Sequence, residues 1–436
     1  MTAPSTPAAP PANASSFGKL VVLMITAFID MVGVLMIIPL LPFYAEQLGA
    51  GGLVVGLLVS SFAVAQLISA PVWGRFSDHY GRRPALIVGL TASAIAYVIF
   101  AYASSLWLLF LSRLVQGAGG GTVSVVQAYV ADATRPEERA KSLGWLSAAT
   151  NAGVAIGPAL GSLTLGMGKH APGLAAAALC ILNIMFAWRY LVEPRNMEEA
   201  RKQVRPKGRS TQAIMHVITR SGEPSSRLIW MYSLGMGAFQ GMNAILALFL
   251  AARFGVTAKT IGYFFVYVGC ISMLTRAFIL GRAVDRFGEP RLSRLGAVLL
   301  AIGLGAMPFT HRVADPAMLA HVSGRLLTPQ VIALLPYIPL AIAVAMVPLG
   351  TAFLFPCVTA LLSRVTPEHE RGLYMGVQQT FGGVARVIFP ILAGWMFDRV
   401  IELPFLVSAG LVLLTIFLGL GMESYVRPKP AVALAE

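Results

Sequence analysis

Long apolar runs separated by short polar interruptions set the pattern of the chain. Twelve can be read, at 19–45, 53–76, 84–104, 106–132, 140–165, 171–192, 228–251, 258–281, 291–310, 331–362, 372–397 and 402–424. The hydrocarbon core of a bilayer takes roughly 20 apolar residues per helix, and backbone groups inside it must be satisfied within their own segment. Each run therefore predicts a spanning helix, and together they predict an all-α membrane protein with 12 transmembrane helices. The one long, strongly polar stretch, 193–227, divides the spans six and six. The expected organisation is an N-terminal bundle over 18–192, a C-terminal bundle over 228–424, and tails at 1–17 and 425–436.

Composition agrees with this pattern and removes other classes. Of the 436 residues, 57% are hydrophobic and 12% charged, and the mean hydropathy is +0.74. That is more apolar surface than a soluble domain of this length can hide in one core, so lipid is the missing solvent. The net charge of +14 suits the bilayer better than a nucleic acid, because the basic residues sit in short loops and form no separate basic domain.

Their distribution orients the chain. Of the 33 Lys and Arg residues, the loops on the side of the termini hold 24 and the opposite loops six, with Arg113, Arg276 and Arg386 inside spans. Short cytoplasmic loops carry the excess, so both termini are expected in the cytoplasm. The 193–227 stretch, with seven basic residues between Arg195 and Arg220, reads as a partly helical linker lying on anionic lipid. The start, rich in Ala, Pro, Ser and Thr and uncharged before Lys19, lacks the basic n-region of a cleaved signal peptide and reads as a disordered cytoplasmic tail.

Little points to chemistry on covalent bonds. Cys180, Cys270 and Cys357 all fall inside apolar runs and suit neither a disulfide framework nor a metal cage. The histidines fall in loops or at span ends, and no phosphate-cradling loop or metal-ligand cluster is apparent. No metal, no organic cofactor and no enzyme activity are expected.

The halves are related by a repeat. Gly49 and Gly56 recur as Gly255 and Gly262, an offset of 206. Gly74-Arg75-Phe76-Ser77-Asp78-His79-Tyr80-Gly81 recurs as Gly281-Arg282-Ala283-Val284-Asp285-Arg286-Phe287-Gly288, an offset of 207, and Arg139, Gly144 and Pro158 recur as Arg371, Gly376 and Pro390, an offset of 232. The larger offset fits a longer loop around 311–330. A duplicated six-helix unit is how alternating-access transporters build a midplane site between two rocking halves, so the bundles are expected to be pseudo-symmetric.

Three segments carry further information. In the loop after span 2, Gly74 and Gly81 allow a tight turn, Asp78 can sit at a helix N-terminus where a carboxylate is favoured, and Arg82, Arg83 and Pro84 follow on the cytoplasmic side. A plain positive-inside turn is the competing reading. Span 4 carries Arg113-Leu114-Val115-Gln116-Gly117-Ala118-Gly119-Gly120-Gly121, and span 5 carries Gly153-Val154-Ala155-Ile156-Gly157-Pro158-Ala159-Leu160-Gly161-Ser162. Small residues let helix backbones approach closely, and Pro158 adds a kink.

With these three motifs, in this order, the chain resembles the drug/proton antiporters of the major facilitator superfamily, most closely the tetracycline/proton antiporter branch, over about residues 19–424. The resemblance implies the major facilitator fold, a bacterial inner membrane and a monomer. It implies that the loop residues Gly74, Asp78, Gly81, Arg82 and Arg83, with Gly281, Asp285 and Gly288 of the second copy, form a gate stabilising the outward-open state. It also implies that Gly153, Gly157, Pro158 and Gly161 form the antiporter helix. That family usually has another glycine where Ser162 stands.

Charged residues inside spans mark function by default. Asp30 lies about 16 Å along its helix from Lys19, near the midplane. Cavity water, substrate or Arg113 can tip such a carboxylate between protonated and ionised forms, which is the chemistry of a proton carrier; a fixed salt bridge between Asp30 and Arg113 is the alternative. The repeat places Met236 opposite Asp30 and Ala345 opposite Arg113. Arg386 maps onto Val154 and has no evident acidic partner at its depth, which suits an anion on the substrate. Arg276, about 8 Å from the inner end of span 8, reads as snorkelling to the surface. Gln240, Asn243 and Gln378 are expected at the cavity because spans 7 and 11 flank the central site in the family.

The expected function is a proton-coupled antiporter exporting small amphiphilic organic compounds by alternating access. Asp30 would carry the proton and Arg113 tune it, with the proton as coupling ion. The alternative is an organic-anion or lipid-like solute carrier using the intramembrane arginines, with different or no proton coupling.

Overall fold

The computed structural model describes residues 13–134, 136–193, 209–310 and 337–426. The N-terminal tail over 1–12, the linker over 194–208, the long loop around 311–330 and the C-terminal residues 427–436 therefore lie outside the described residues. Among the described residues there is no strand.

The first half contains α1 (Asn13–Ile37), α2 (Leu41–Gln47), α3 (Gly52–Tyr80), α4 (Arg82–Ala101), α5 (Leu106–Ala118), α6 (Thr122–Ala133), α7 (Pro136–Thr164) and α8 (Ala171–Tyr190). After the connecting α9 (Arg209–Thr219), the second half contains α10 (Pro224–Phe254), α11 (Ile261–Leu274), α12 (Leu280–Phe287), α13 (Glu289–Ala306), α14 (Ile338–Val365), α15 (Arg371–Phe397), α16 (Leu403–Leu418) and the short α17 (Glu423–Val426). Nine segments among the described residues are long and apolar enough to cross a bilayer, and Leu106–Ala118 and Leu403–Leu418 are shorter apolar helices. With the more polar Pro136–Thr164 they complete the twelve spans.

Several boundaries depart from the sequence reading. Helix α1 starts at Asn13, inside the expected tail, and α10 starts at Pro224, four residues before the expected span. Proline favours the first helical turn, where its missing N–H costs nothing, and Pro224, Pro290 and Pro404 all occupy such positions. Span 4 is two helices because Gly119, Gly120 and Gly121 interrupt it. There the backbone presses on span 2: a Cβ on Gly121 would fall 2.5 Å from Trp73 Cγ. Span 8 contains a π-helical turn, Thr275–Ile279, before α12.

Positive-φ glycines reproduce the repeat in three dimensions. Gly49 (φ 81°) and Gly255 (φ 67°) end the first span of each half, and Gly81 (φ 108°) and Gly288 (φ 76°) make the turn after the second. Gly74 and Gly281, also expected to shape those turns, instead lie inside α3 and α12 with open space around them. One glycine per turn suffices, since one left-handed residue is enough to end the helix.

Each half buries its own core. One cluster holds Phe249, Phe405 and Leu354 of the second half and takes in Leu40 and Phe43 of the first; another holds Tyr97, Phe100 and Ile37 of the first half and takes in Leu248 of the second. The halves meet along two seams, α3 against α15 and α7 against α11. On the first seam a Cβ on Gly56 would collide with the carbonyl of Pro390, and one on Gly394 with that of Gly52. Bonds on these seams include Gly52 N and Leu53 N donating to Asp398 (2.5 and 2.8 Å), Ser60 Oγ donating to Val387 O (2.6 Å), Ser162 Oγ donating to Ala258 O (3.1 Å), and Gly262 N donating to Ser162 Oγ (2.9 Å). Most sit toward the end remote from the chain termini, so the bundles are clamped at that end.

Candidate functional site

Between the bundles lies a cavity of about 450 Å³. Arg386, Gln240 and Asn243, three of the four residues expected at the substrate, line it, and so do Arg113, expected to tune Asp30, and Gln66, Gln116 and Asn151. The remaining wall is largely apolar and aromatic, with Phe62, Phe239, Phe265 and Phe355. Among the lining residues there is no Asp or Glu. Gln378 is elsewhere: it is fully buried between α15 and α14, its Oε1 accepting from Thr359 Oγ1 at 3.4 Å. It lies eight residues, just over two turns, before Arg386, and its face of α15 turns into the second bundle.

Arg276 lines the cavity instead of reaching for the surface. Its Nη1 donates to Asn151 Oδ1 at 3.1 Å, across the two halves. The π-turn explains the difference, since it resets the helical phase at this residue.

Asp30 occupies a second, smaller cavity of about 120 Å³ inside the first bundle, with Thr122, Gln127, Ser147 and Asn151 among its walls. Asn151 belongs to both cavities and is their common wall. Asp30 is 5% exposed. Its Oδ2 accepts from Thr122 Oγ1 at 2.9 Å, while its Oδ1 has no partner. Thr122 reaches it because the glycine break starts α6 at that residue.

The alternative reading of Asp30, a fixed salt bridge to Arg113, is not what the structure has: among the described residues no ion pair joins them. Arg113 is 2% exposed, lies 5.8 Å from the centre of the Phe100 ring, and leaves its Nε and Nη2 without a hydrogen-bond partner. Tyr97 stands in this region, its hydroxyl accepting from Gln116 Nε2 at 2.9 Å and packing beside Gly33, three residues after Asp30. Neither Thr122 nor Tyr97 is marked by any sequence pattern.

The glycines of span 5 pack against the helix that bears Asp30. A Cβ on Gly153 would fall 2.6 Å from Phe28 O, one on Gly157 2.7 Å from Leu35 Cβ, and one on Gly161 would collide with Met36 O. All three face α1, the helix that bears Asp30. Pro158 lies in the same helix, and its carbonyl faces Gly262 of the second half. Ser162, the departure from the family pattern, bonds both Gly262 N and Ala258 O and so joins the two halves.

The loop after span 2 is tied to the first bundle. Asp78 lies in the last turn of α3, not at a helix N-terminus, and pairs with Arg82 at 3.1 Å. Arg82 also pairs with Asp132 at 2.9 Å. The carboxylate at the N-terminus of α4 is Glu193, which accepts from Arg82 N and Arg83 N, both at 2.9 Å, and Arg83 Nη2 donates to Trp188 O at 2.5 Å. Asp285, the second-half counterpart of Asp78, is exposed and makes no ion pair among the described residues.

Twelve helical spans in two bundles around a solute-sized cavity define the class, a polytopic membrane protein built for passage of a small molecule. The family model of the Major Facilitator Superfamily matches residues 23–327 and 312–435, and the chain belongs to that superfamily of transporters, which are not enzymes. It is 27% identical over 419 residues to multidrug resistance protein 2 of Bacillus subtilis (strain 168), covering 95% of this chain and 97% of the relative. It is 32% identical over 325 residues to the class C tetracycline resistance protein of Escherichia coli, covering 73% and 81%. Among solved structures, the nucleoside transporter NupG aligns with a TM-score of 0.72 at 13% identity, covering 94% of this chain and 100% of that one. The human organic anion transporter MFSD10 (TETRAN) aligns with a TM-score of 0.66 at 21% identity over the same shares. These two show the fold alone.

Proposed function

We propose that this protein is a proton-coupled antiporter that exports small amphiphilic organic compounds by alternating access, with the proton as the coupling ion. The observation that carries the reading is Asp30: a buried carboxylate with one oxygen bonded and the other unpartnered, in a chamber that shares the wall residue Asn151 with the central cavity. A carboxylate inside a bilayer costs several kcal/mol unless water, a partner or a proton meets it, so its presence there points to a pathway. Cargo in the large cavity and a proton on Asp30 meet across Asn151, so occupancy of one side bears on the other. The multidrug and tetracycline resistance proteins among the relatives support an organic cargo.

In this reading the protein is a monomer in a bacterial inner membrane with both termini cytoplasmic. The clamped end then faces outward, and the structure corresponds to an inward-open state. Proteoliposomes with a pH-sensitive dye inside, a proton gradient and a panel of tetracycline-like, cationic and anionic amphiphiles provide the test. Solute-triggered proton flux in the wild type and none in Asp30→Asn is the expected result. Solute movement without proton flux, unchanged in Asp30→Asn, would refute the coupling.

A further inference from the structure

We propose that the central cavity takes an organic anion: a drug-sized amphiphile with a single acidic headgroup, received by Arg386 in a cavity that Arg113 and Arg276 also line. The inference rests on the reading of this cavity as the transport site and adds the charge of the cargo to it.

Three arginines line the cavity and, among its lining residues, no carboxylate balances them. Arg386 makes no hydrogen bond or ion pair among the described residues, although it is only partly exposed, at the middle of α15. Arg113 is 2% exposed and keeps two guanidinium nitrogens without a partner. A buried cation is tolerated where an anion or a full set of acceptors meets it. Asp30 does not fill that role, since it lies in the neighbouring chamber, is bonded to Thr122, and pairs with none of the three. Asn151 satisfies one nitrogen of Arg276 and leaves the other two arginines as they are.

The lining offers a surface to each part of such a molecule. A guanidinium presents a planar fork that matches a carboxylate or sulfonate in two parallel bonds. The pseudo-symmetric counterpart of Arg386, Val154, lines the same cavity, so the repeat does not duplicate this guanidinium, and the phenylalanines offer the apolar body its surface. The cavity volume, about 450 Å³, falls in the range of drug-sized ligands, roughly 300–1,000 Å³. That favours a compact organic acid over a two-chain acidic lipid.

Binding to the purified full-length protein in phosphatidylcholine nanodiscs tests this without any gradient. The probe is undecanoic acid carrying a terminal dansyl group, compared with its primary-amine and methyl-ester twins, with empty nanodiscs as background. The acid is expected to bind about tenfold or more tightly than either twin. Arg386→Gln should cost the acid about tenfold and leave the ester unchanged, and Arg386→Lys should restore part of the loss. Arg113→Gln, checked like the others for a monodisperse elution profile, should weaken the acid as well, so that misfolding of one variant does not decide the matter. Equal or tighter binding of the amine, or indifference of the acid to both substitutions, would overturn the proposal. So would displacement of the probe by phosphatidylglycerol in the disc as effectively as by the free acid, which would assign the arginines to lipid. If the acid binds through Arg386 but moves no protons in proteoliposomes, antiport fails and the anion site stands. If protons move with a cationic cargo while the acid binds no better, the anion site falls alone.

Discussion

Glu289 pairs with Arg364, Oε1 to Nη2 at 2.5 Å, and in doing so repeats the pair of Arg82 and Asp132 with the charges exchanged. The offset of 207 carries Arg82 onto Glu289, and the offset of 232 carries Asp132 onto Arg364. In each half the contact ties the start of the third span to the end of the fourth. The duplicated element is the contact, not the sign of either residue.

Removing one member of this pair therefore costs more than exchanging both. Glu289 is 6% exposed, and Arg364→Ala leaves its carboxylate without a partner, at a cost of roughly 1–3 kcal/mol. Glu289→Arg combined with Arg364→Asp reproduces the arrangement of the first half. Thermal unfolding in detergent should show a lower midpoint for each single variant and recovery of at least half the loss in the double. Losses that simply add would mean that the two residues are not coupled.

Ser162→Gly restores the usual residue of the family and removes two bonds between the halves. The clamped end should open more often, by about five- to tenfold in population for a loss of about 1 kcal/mol. Spin labels at Glu46 and Lys259, both exposed, should show a larger share of long distances in electron–electron resonance. An unchanged distribution would mean that Ser162 does not help hold that end shut.

Asp398→Ala acts on the other seam. The carboxylate accepts from the first two backbone N–H groups of α3, a capping interaction of about 0.5–2 kcal/mol. The same label pair should report opening, and because Ser162 lies on the opposite seam, the two effects should be additive in free energy. Asp398→Asn, which keeps an acceptor, should fall between wild type and Asp398→Ala.

Gly157→Val should lower both the unfolding midpoint and transport, since its side chain meets Leu35 Cβ and Val32 O on the helix that bears Asp30. Overpacking of this kind costs roughly 1–3 kcal/mol. Gly144→Ala, on the same helix with nothing within 4 Å of its Cβ position, is the control and should be neutral or slightly stabilising. Equal effects of the two would detach the glycine stripe from Asp30.

Hydropathy made the twelve spans and their division legible, and the glycine spacing made the duplication legible. The phase of each helix was not legible. Gln240, Asn243 and Arg386 do face the cavity, but Gln378 turns into the second bundle and Arg276 is swung into the cavity by a π-turn that no residue pattern announces. Asp30 and Arg113 sit at depths that suggest a pair, yet depth fixes neither rotation nor partner. Asp30 meets Thr122, which lies directly after the three-glycine break, and the carboxylate at the start of α4 is Glu193, more than a hundred residues later in the chain. Contacts of such sequence separation follow from packing and leave no local signature.

At Gly56 and Pro390, and again at Gly52 and Gly394, one helix lies on another with backbone against backbone. A surface without side chains has no teeth to lift clear before it can turn. Such a joint behaves as a plain bearing only while the bare faces stay opposed, and friction is concentrated in a few removable pins. The pace of the rocking motion would then be set less by the area of the seam than by how quickly those pins are drawn and replaced.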